Sequence, residues 1–360
     1  MYFYGLLFLI GFSLTILGIY FPKYDKLCFI LFSITLVYLA CFRYGISTDY
    51  FTYVKYYENS PKVGGNRGNF EFGYFTLNRV LATFHIFSGF LFAITTIIVI
   101  RNIYFALKNF QVNKICGLFI YFSLFYFVNI FNLVRHGVAA SFCLLAFSSI
   151  VKNKKKNAII FLLMGSLFHN LSLIFLPIVC LSKYKYNILI IAITIFFSYL
   201  LFNGKIIFNL LYVINAVPEN YYRYIYSYIG VNNTSTLGIG TIILIGLFIF
   251  FTINKNRLLV SGNIMSFIVS YNMIFFSILA ILFLWSIPTA LERLLNVLKQ
   301  GLIILLPYCF RTSKNYSKLI TILAIFAICL LFYGQSMFLQ TNSGRYAHYP
   351  YQWNLGYNNY

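Results

Sequence analysis

The chain has 360 residues, 61% of them hydrophobic, 21% aromatic and 9% charged, and it carries a formal net charge of +21. This composition excludes an ordinary soluble surface at such a length and marks an all-α polytopic integral membrane protein, and nothing in it suggests a separate soluble domain. The basic residues lie between apolar runs, so a positive-inside topology accounts for them and nucleic acid is not expected as a partner.

Apolar runs of roughly 17 to 25 residues, enough for a helix to cross a hydrocarbon core of about 30 Å, recur from end to end. The spacing predicts spans over 2–20, 27–42, 81–100, 115–131, 133–151, 158–181, 188–202, 237–253, 264–284, 291–310 and 319–338. The first lacks a basic leader region and a small-residue cleavage site, so it is expected to be a retained helix. Strict alternation through all of these spans conflicts with the charges. The basic loops Lys23/Lys26, Arg101 to Lys114 and Lys152 to Lys156 fall on one side, and Lys183/Lys185, Lys255/Arg257 and Arg311 to Lys318 on the other. Segment 158–181 resolves the conflict, because Gly165, Ser166, His169 and Asn170 interrupt its middle and Pro177 follows. Two half-helices of about 12 residues, each reaching about 18 Å, would enter from the cytoplasm and return.

The resulting expectation is about 11–12 transmembrane or re-entrant helical segments, with every short basic loop cytoplasmic and the N-terminus outside. Two longer loops, 43–80 with an interfacial helix and 203–236, fall outside. So do 129–136, 286–293 and the tail after Gln340. Four of the six carboxylates, Asp49, Glu58, Glu71 and Glu219, lie in those two loops. No Asp-x-Asp pair occurs, which disfavours a cytoplasmic nucleotide-sugar transferase with a metal-diphosphate clamp. The seven cysteines sit in or at the edge of apolar runs and read as small core residues. His85, His136, His169 and His348 lack ligand spacing, so no metal and no cofactor is expected.

The chain between Asn129 and Ser172 concentrates the charge. Asn132, Arg135, His136, Ala139 and Cys143 share one helical face; a lone arginine at a helix end commonly snorkels, but the accompanying Asn129, Asn132 and His136 favour a cavity. From Glu71 the pattern predicts a helix leading into the third span, with Glu71, Asn78 and His85 seven apart on one face. That stripe is either a polar descent into the bundle or interfacial solvation above a packed His85. Arg293 follows Pro288 and Glu292, and Asn296, Lys299 and Gln300 continue inward. Glu292 either pairs locally with Arg293 or Asn296 or shares a wet cleft with Lys299. The tyrosines at Tyr44, Tyr50, Tyr53, Tyr56, Tyr57 and Tyr74, at Tyr221 to Tyr228, and at Tyr349 and Tyr351 fit interfacial belts or sugar-stacking surfaces equally.

At Arg43-Tyr44-Gly45, Asp49-Tyr50 and Tyr53, then Glu71-Phe72-Gly73-Tyr74, the chain resembles the EpsG-like branch of the Wzy polysaccharide polymerases. The resemblance continues at Asn132, Arg135, Gly137 and Ala139, at Phe168-His169 with Ser172-Leu173, and at Arg293 with Pro307, in order along nearly the whole chain. His136 stands where the family pattern carries a glutamine. The resemblance implies polymerisation of O-antigen or exopolysaccharide repeat units on undecaprenyl diphosphate, at the outer face of a bacterial inner membrane. A chain-length regulator and a flippase of the same pathway would be its partners. A departing lipid diphosphate calls for fixed cations, with Arg43, Arg135 and Arg293 as candidates. An attacking sugar hydroxyl calls for a base, with His169 first and Asp49 and Glu71 next. Asn132, Lys299 and Tyr50 complete the expected substrate-binding set. An O-antigen ligase, which uses the same donor, is the nearest rival enzyme, and a flippase would carry the same lipid; concentration of the polar residues outside favours an enzyme over the flippase.

Overall fold

The computed structural model describes residues 2–47, 49–60, 70–200, 239–260, 263–284, 288–309 and 315–339. The expected outer loop 203–236 and the tail after Gln340, with their tyrosines, Glu219 and His348, lie outside the described residues. Within them the chain is helical with no strand, and seven helices are long and apolar enough to cross a membrane. It is an all-α polytopic membrane protein, as its composition requires.

The first two spans, α1 (Tyr2–Tyr20) and α2 (Asp25–Phe42), match the apolar runs closely. Two short helices follow, α3 (Tyr50–Asn59) and α4 (Phe72–Thr83), before the span α5 (Gly89–Phe110). The expected span 81–100 is therefore corrected. α4 stops because His85 adopts a left-handed φ of 53°, while the Ile86 N–H donates to Leu81 O at 3.2 Å and the His85 N–H to Ala82 O at 3.0 Å. These are the two bonds of a Schellman end. The exposed His85 thus closes α4, and the Glu71/Asn78/His85 stripe does not continue into the third span.

Next come α6 (Lys114–Tyr121), which widens into a π-helix over Phe122–Asn132, and α7 (Val134–Val151). Asn102 donates to Ser141 at 3.0 Å and Asn109 to Ser148 at 3.1 Å. Equal steps along both helices make α5 and α7 parallel, with α6 running the opposite way. The expected break in 158–181 is present: α8 (Lys155–Ser166) ends, the chain turns through Leu167–His169, and it returns as a 3-10 turn (Asn170–Ile174) and α9 (Phe175–Leu181). Ser172 Oγ donates back to Leu162 O at 3.0 Å, closing this helical hairpin against α7.

The remaining helices are α10 (Ile188–Leu200), α11 (Ile239–Ile253), α12 (Lys255–Val260), α13 (Ile264–Leu284), α14 (Pro288–Leu298), α15 (Leu302–Tyr308) and α16 (Asn315–Gly334), which ends in a π turn over Gln335–Leu339. Their contacts gather the short basic loops toward one end of the bundle. Asp25 accepts from the backbone of Lys114 and Ile115 at 3.0 and 2.9 Å and pairs with Lys114 Nζ at 2.7 Å. Lys318 lies 5.0 Å over Tyr20, Tyr308 donates to Asn263 O at 2.6 Å, and Lys255 donates to Tyr186 O at 2.9 Å. At the opposite end Tyr333 donates to Tyr4 O at 3.0 Å, the Tyr4 and Phe127 rings are 5.8 Å apart, and Tyr126 donates to Leu36 O.

The π-helix is what delivers α7 to that second end. Its wider turn, closed by Leu133 N–H to Val128 O at 2.7 Å, buries Asn129 and Asn132 completely, and π segments recur at functional sites. Gly137 then packs so tightly that a Cβ would stand 2.3 Å from Asn129 O, a backbone atom that cannot swing aside. Gly137→Ala is expected to destabilise the protein by about 1–3 kcal/mol through overpacking. The thermal midpoint of the purified protein in detergent should fall accordingly, and an unchanged midpoint would mean that the junction yields.

Candidate functional site

Four separate stretches meet at the end of the bundle opposite the basic loops. The first turn of α7 carries Arg135 and His136, the tip of the α8–α9 hairpin carries His169, the residue preceding α4 is Glu71, and α14 carries Arg293. Arg135 and Glu71 form an ion pair with Nη1 to Oε2 at 2.5 Å, their side chains 24% and 12% exposed. The Tyr53 hydroxyl on α3 stands beside the same guanidinium, which lies 4.5 Å over the Phe70 ring. Burial pushes the Tyr53 hydroxyl's pKa up, with Arg135 pulling it back, so Tyr53 stays neutral.

His169 receives the charges of Glu71, Arg293 and Arg135. Its ring is 5.3 Å from that of His136, with the planes at 82°. Arg293 acts on both imidazoles. The Leu171 N–H donates to His169 Nδ1 at 3.2 Å, capping the 3-10 turn. A nitrogen that accepts a hydrogen bond carries no proton, so a neutral His169 bears its proton on Nε2.

The motif Glu71-Phe72-Gly73-Tyr74 is held here by one backbone contact. The Gly73 N–H donates to Leu167 O at 2.8 Å and the Tyr74 N–H to the same oxygen at 3.4 Å, so the last carbonyl of the α8 arm satisfies the first turn of α4. A Cβ on Gly73 would stand 2.8 Å from Leu167 Cβ and 2.9 Å from Leu167 O. Gly73→Ala should push Glu71 away from His169 and lower polymer formation by roughly 10- to 100-fold, since displacements of about 1 Å carry that cost. The checking measurement is polymer produced per folded protein, and full activity would show that this contact does not position Glu71.

Arg43 is 1% exposed and is enclosed by rings: its Cζ lies 4.1 Å from the Phe92 centroid, 4.6 Å from Phe131 and 5.7 Å from Tyr50. Ser47 Oγ donates to Asn132 Oδ1 at 2.8 Å beside it. Arg43, Tyr50 and Asn132 therefore form a second layer behind Arg135, joined to it through Tyr53, which also feels Arg43 and Asp49. Asp49 precedes α3 and its carbonyl accepts from the Tyr53 N–H at 3.0 Å.

Lys299 stands apart. It lies in the 3-10 turn (Lys299–Gly301) after α14 and lines a cavity of about 310 Å³ with Glu292, Asn296 and Gln335. Six residues beyond Arg293, it points about 120° round the helix from it, and the charge acting on it is Glu292. Among the described residues no group of three or more His, Cys, Asp and Glu side chains is placed to hold a metal ion.

Tyr53 and Gly73 have a part here that their residue types do not announce. Both fall within the motif stretches quoted above, and Tyr50, Tyr53 and Tyr57 repeat every three or four residues, which puts them on the inner face of α3.

Neither curated proteins nor solved structures give a significant match to the chain. The family model of the EpsG family, however, matches residues 26–353, taking in every element of the site. The chain belongs to the EpsG family.

Proposed function

We propose that this protein polymerises undecaprenyl-diphosphate-linked oligosaccharide repeat units, of O-antigen or exopolysaccharide, at the outer face of a bacterial inner membrane. The coarser role, polysaccharide polymerisation by a multi-pass membrane protein, follows from its family. The observation that carries the finer reading is the convergence of Arg135, Glu71, His169 and Arg293 at the end away from the basic loops. Positive-inside placement of those loops turns the cluster outward, and residues 1–360 act as one transmembrane unit, with Tyr53 of α3 and Glu71 before α4 bordering the cluster.

In the proposed reaction the acceptor's sugar hydroxyl attacks the anomeric carbon of the donor glycan. A new glycosidic bond forms, the bond from that carbon to the diphosphate oxygen breaks, and the electron pair leaves on the lipid diphosphate. Arg135 and Arg293 stabilise that developing charge, Arg135 through its planar fork. Glu71 takes the hydroxyl proton. His169, with Nδ1 occupied by the Leu171 N–H, offers Nε2–H to a substrate oxygen instead of acting as the base. Arg43, Asn132 and Tyr50 hold Tyr53 and α3 in place, and Asp49 joins the rim.

Gene deletion with complementation tests this in the native host. Loss of a polymerase leaves single repeats on carrier or core, loss of a ligase leaves polymer on the carrier lipid, and loss of a flippase leaves neither polymer nor single repeats outside. The proposal expects the first pattern, restored by the wild-type gene; either of the other patterns would refute it.

A further inference from the structure

We propose that the cleft between α11 and α16 at the basic end of the bundle binds one anionic phospholipid, with its phosphate on Arg257 and an acyl chain between the helices. The two helices touch at the opposite end. There Gly240 of α11 packs so close to α16 that a Cβ on it would stand 3.2 Å from Phe332 Cε1 and 3.3 Å from Gln335 Oε1. Toward the basic end they part, and a cleft of about 520 Å³ opens between them, backed by Leu306 and Cys309. This site lies away from the Arg135 cluster, and its occupancy does not depend on the polymerase reading.

The lining is graded along the cleft. Asn254, Arg257 and Thr321 stand at its mouth, while Leu247 and Phe251 on one wall and Ala324, Ile325 and Ile328 on the other are apolar. Asn254 and Leu247 are seven residues apart, as are Thr321 and Ile328, so the apolar part descends about 10 Å. Phe250 and Ile320 on its flank are 48% and 67% exposed, whereas Phe251 and Leu306 are buried at its back. In a membrane that open flank faces hydrocarbon.

The charge at the mouth is uncompensated. Arg257 is exposed and forms no ion pair among the described residues, and no carboxylate lines the cleft. Lys255 adds a second positive charge two residues before it. A positive mouth above an apolar floor complements an anionic headgroup above a hydrocarbon chain, as in other basic pockets between membrane helices. Arginine's planar fork suits the phosphate oxygens. A soluble anion would satisfy only the mouth and a neutral lipid only the floor. The seated lipid fills the gap left by the divergence and joins α11 to α16 where the cleft separates them.

The test is native mass spectrometry of the full-length protein in detergent, titrated with phosphatidylglycerol or with phosphatidylcholine of the same chains. Wild type should bind the first phosphatidylglycerol about tenfold more tightly than the first phosphatidylcholine. Arg257→Gln should weaken phosphatidylglycerol by about fivefold to tenfold, the scale of one basic contact to an anionic headgroup, and Arg257→Lys should keep most of the affinity. Ala324→Phe, at an exposed position on the cleft wall, places a ring in the path of the chain and should weaken both lipids. Lys23→Gln, an exposed basic residue between α1 and α2, should weaken neither. Equal affinity of the wild type for both lipids would overturn the anionic headgroup. Unchanged phosphatidylglycerol affinity in Arg257→Gln would overturn the phosphate contact, and unchanged affinity in Ala324→Phe would overturn the seat of the chain. A loss in Lys23→Gln as large as in Arg257→Gln would overturn the site in favour of general surface charge. Displacement of phosphatidylglycerol by glycerol 3-phosphate, which has no chains, would overturn the lipid as occupant.

Discussion

Arg135→Ala is expected to abolish polymer formation, with a rate loss of at least about 10²- to 10³-fold from removal of a fixed donor at the developing charge. The structure adds a second reason. Arg135 holds Glu71 at 2.5 Å and stacks on Phe70, with the Tyr53 hydroxyl beside it, so its loss releases three side chains from two segments, α3 and the stretch before α4. The stability cost should be about 1–3 kcal/mol, the range for hydrogen bonds to charged groups, which shifts a melting curve without unfolding the protein. Arg135→Lys restores the charge but not the fork, because an ammonium on a flexible stem cannot serve two partners and a ring face together. It should therefore recover stability more than activity. Measured per folded protein in membranes, equal activity of the lysine variant and wild type would mean that Arg135 acts only as a charge.

Glu71→Gln should lower the rate by about 10²- to 10⁴-fold, the usual contribution of a positioned general base. Glutamine keeps the length of the side chain and an acceptor oxygen for Arg135, so the geometry survives while the basic oxygen is lost. His169→Gln is the informative companion, because its side-chain N–H replaces the Nε2–H donor of the imidazole. It should retain substantially more activity than Glu71→Gln. The reverse order would make His169 the base and require its ring to give up the Leu171 contact. A wild-type rate in the Glu71→Gln variant would remove Glu71 from proton transfer altogether.

Much of this was legible in the residues. Apolar run lengths place α1, α2, the Lys114–Asn132 span, α7 and α13 within a few residues, because burial in lipid leaves a helix few alternatives. The charge parity of the short loops was enough to require a return within 158–181, and the Ser172–Leu162 hairpin bond shows that return. What the pattern concealed are features set by backbone contacts. His85 takes a left-handed conformation without being glycine, so nothing in the apolar run announced the end of α4. The π-helix from Phe122 keeps the same apolar composition as an α-helix and leaves no separate signal. Glu71 reaches His169 only because Gly73 sits against Leu167, a contact across nearly a hundred residues. Arg293 and Lys299 lie close in sequence, yet they stand about 120° apart round the helix, so that Arg293 acts on His169 and Lys299 lines a separate cavity.

The most direct measurement uses the purified chain in nanodiscs with a single synthetic lipid-diphosphate-linked repeat unit, and with no nucleotide sugar. The account predicts a ladder of lipid-linked products longer than one repeat, together with release of the free lipid diphosphate in equal number to the bonds formed. Products that never exceed one repeat, or elongation that proceeds only when a nucleotide sugar is added, would contradict it.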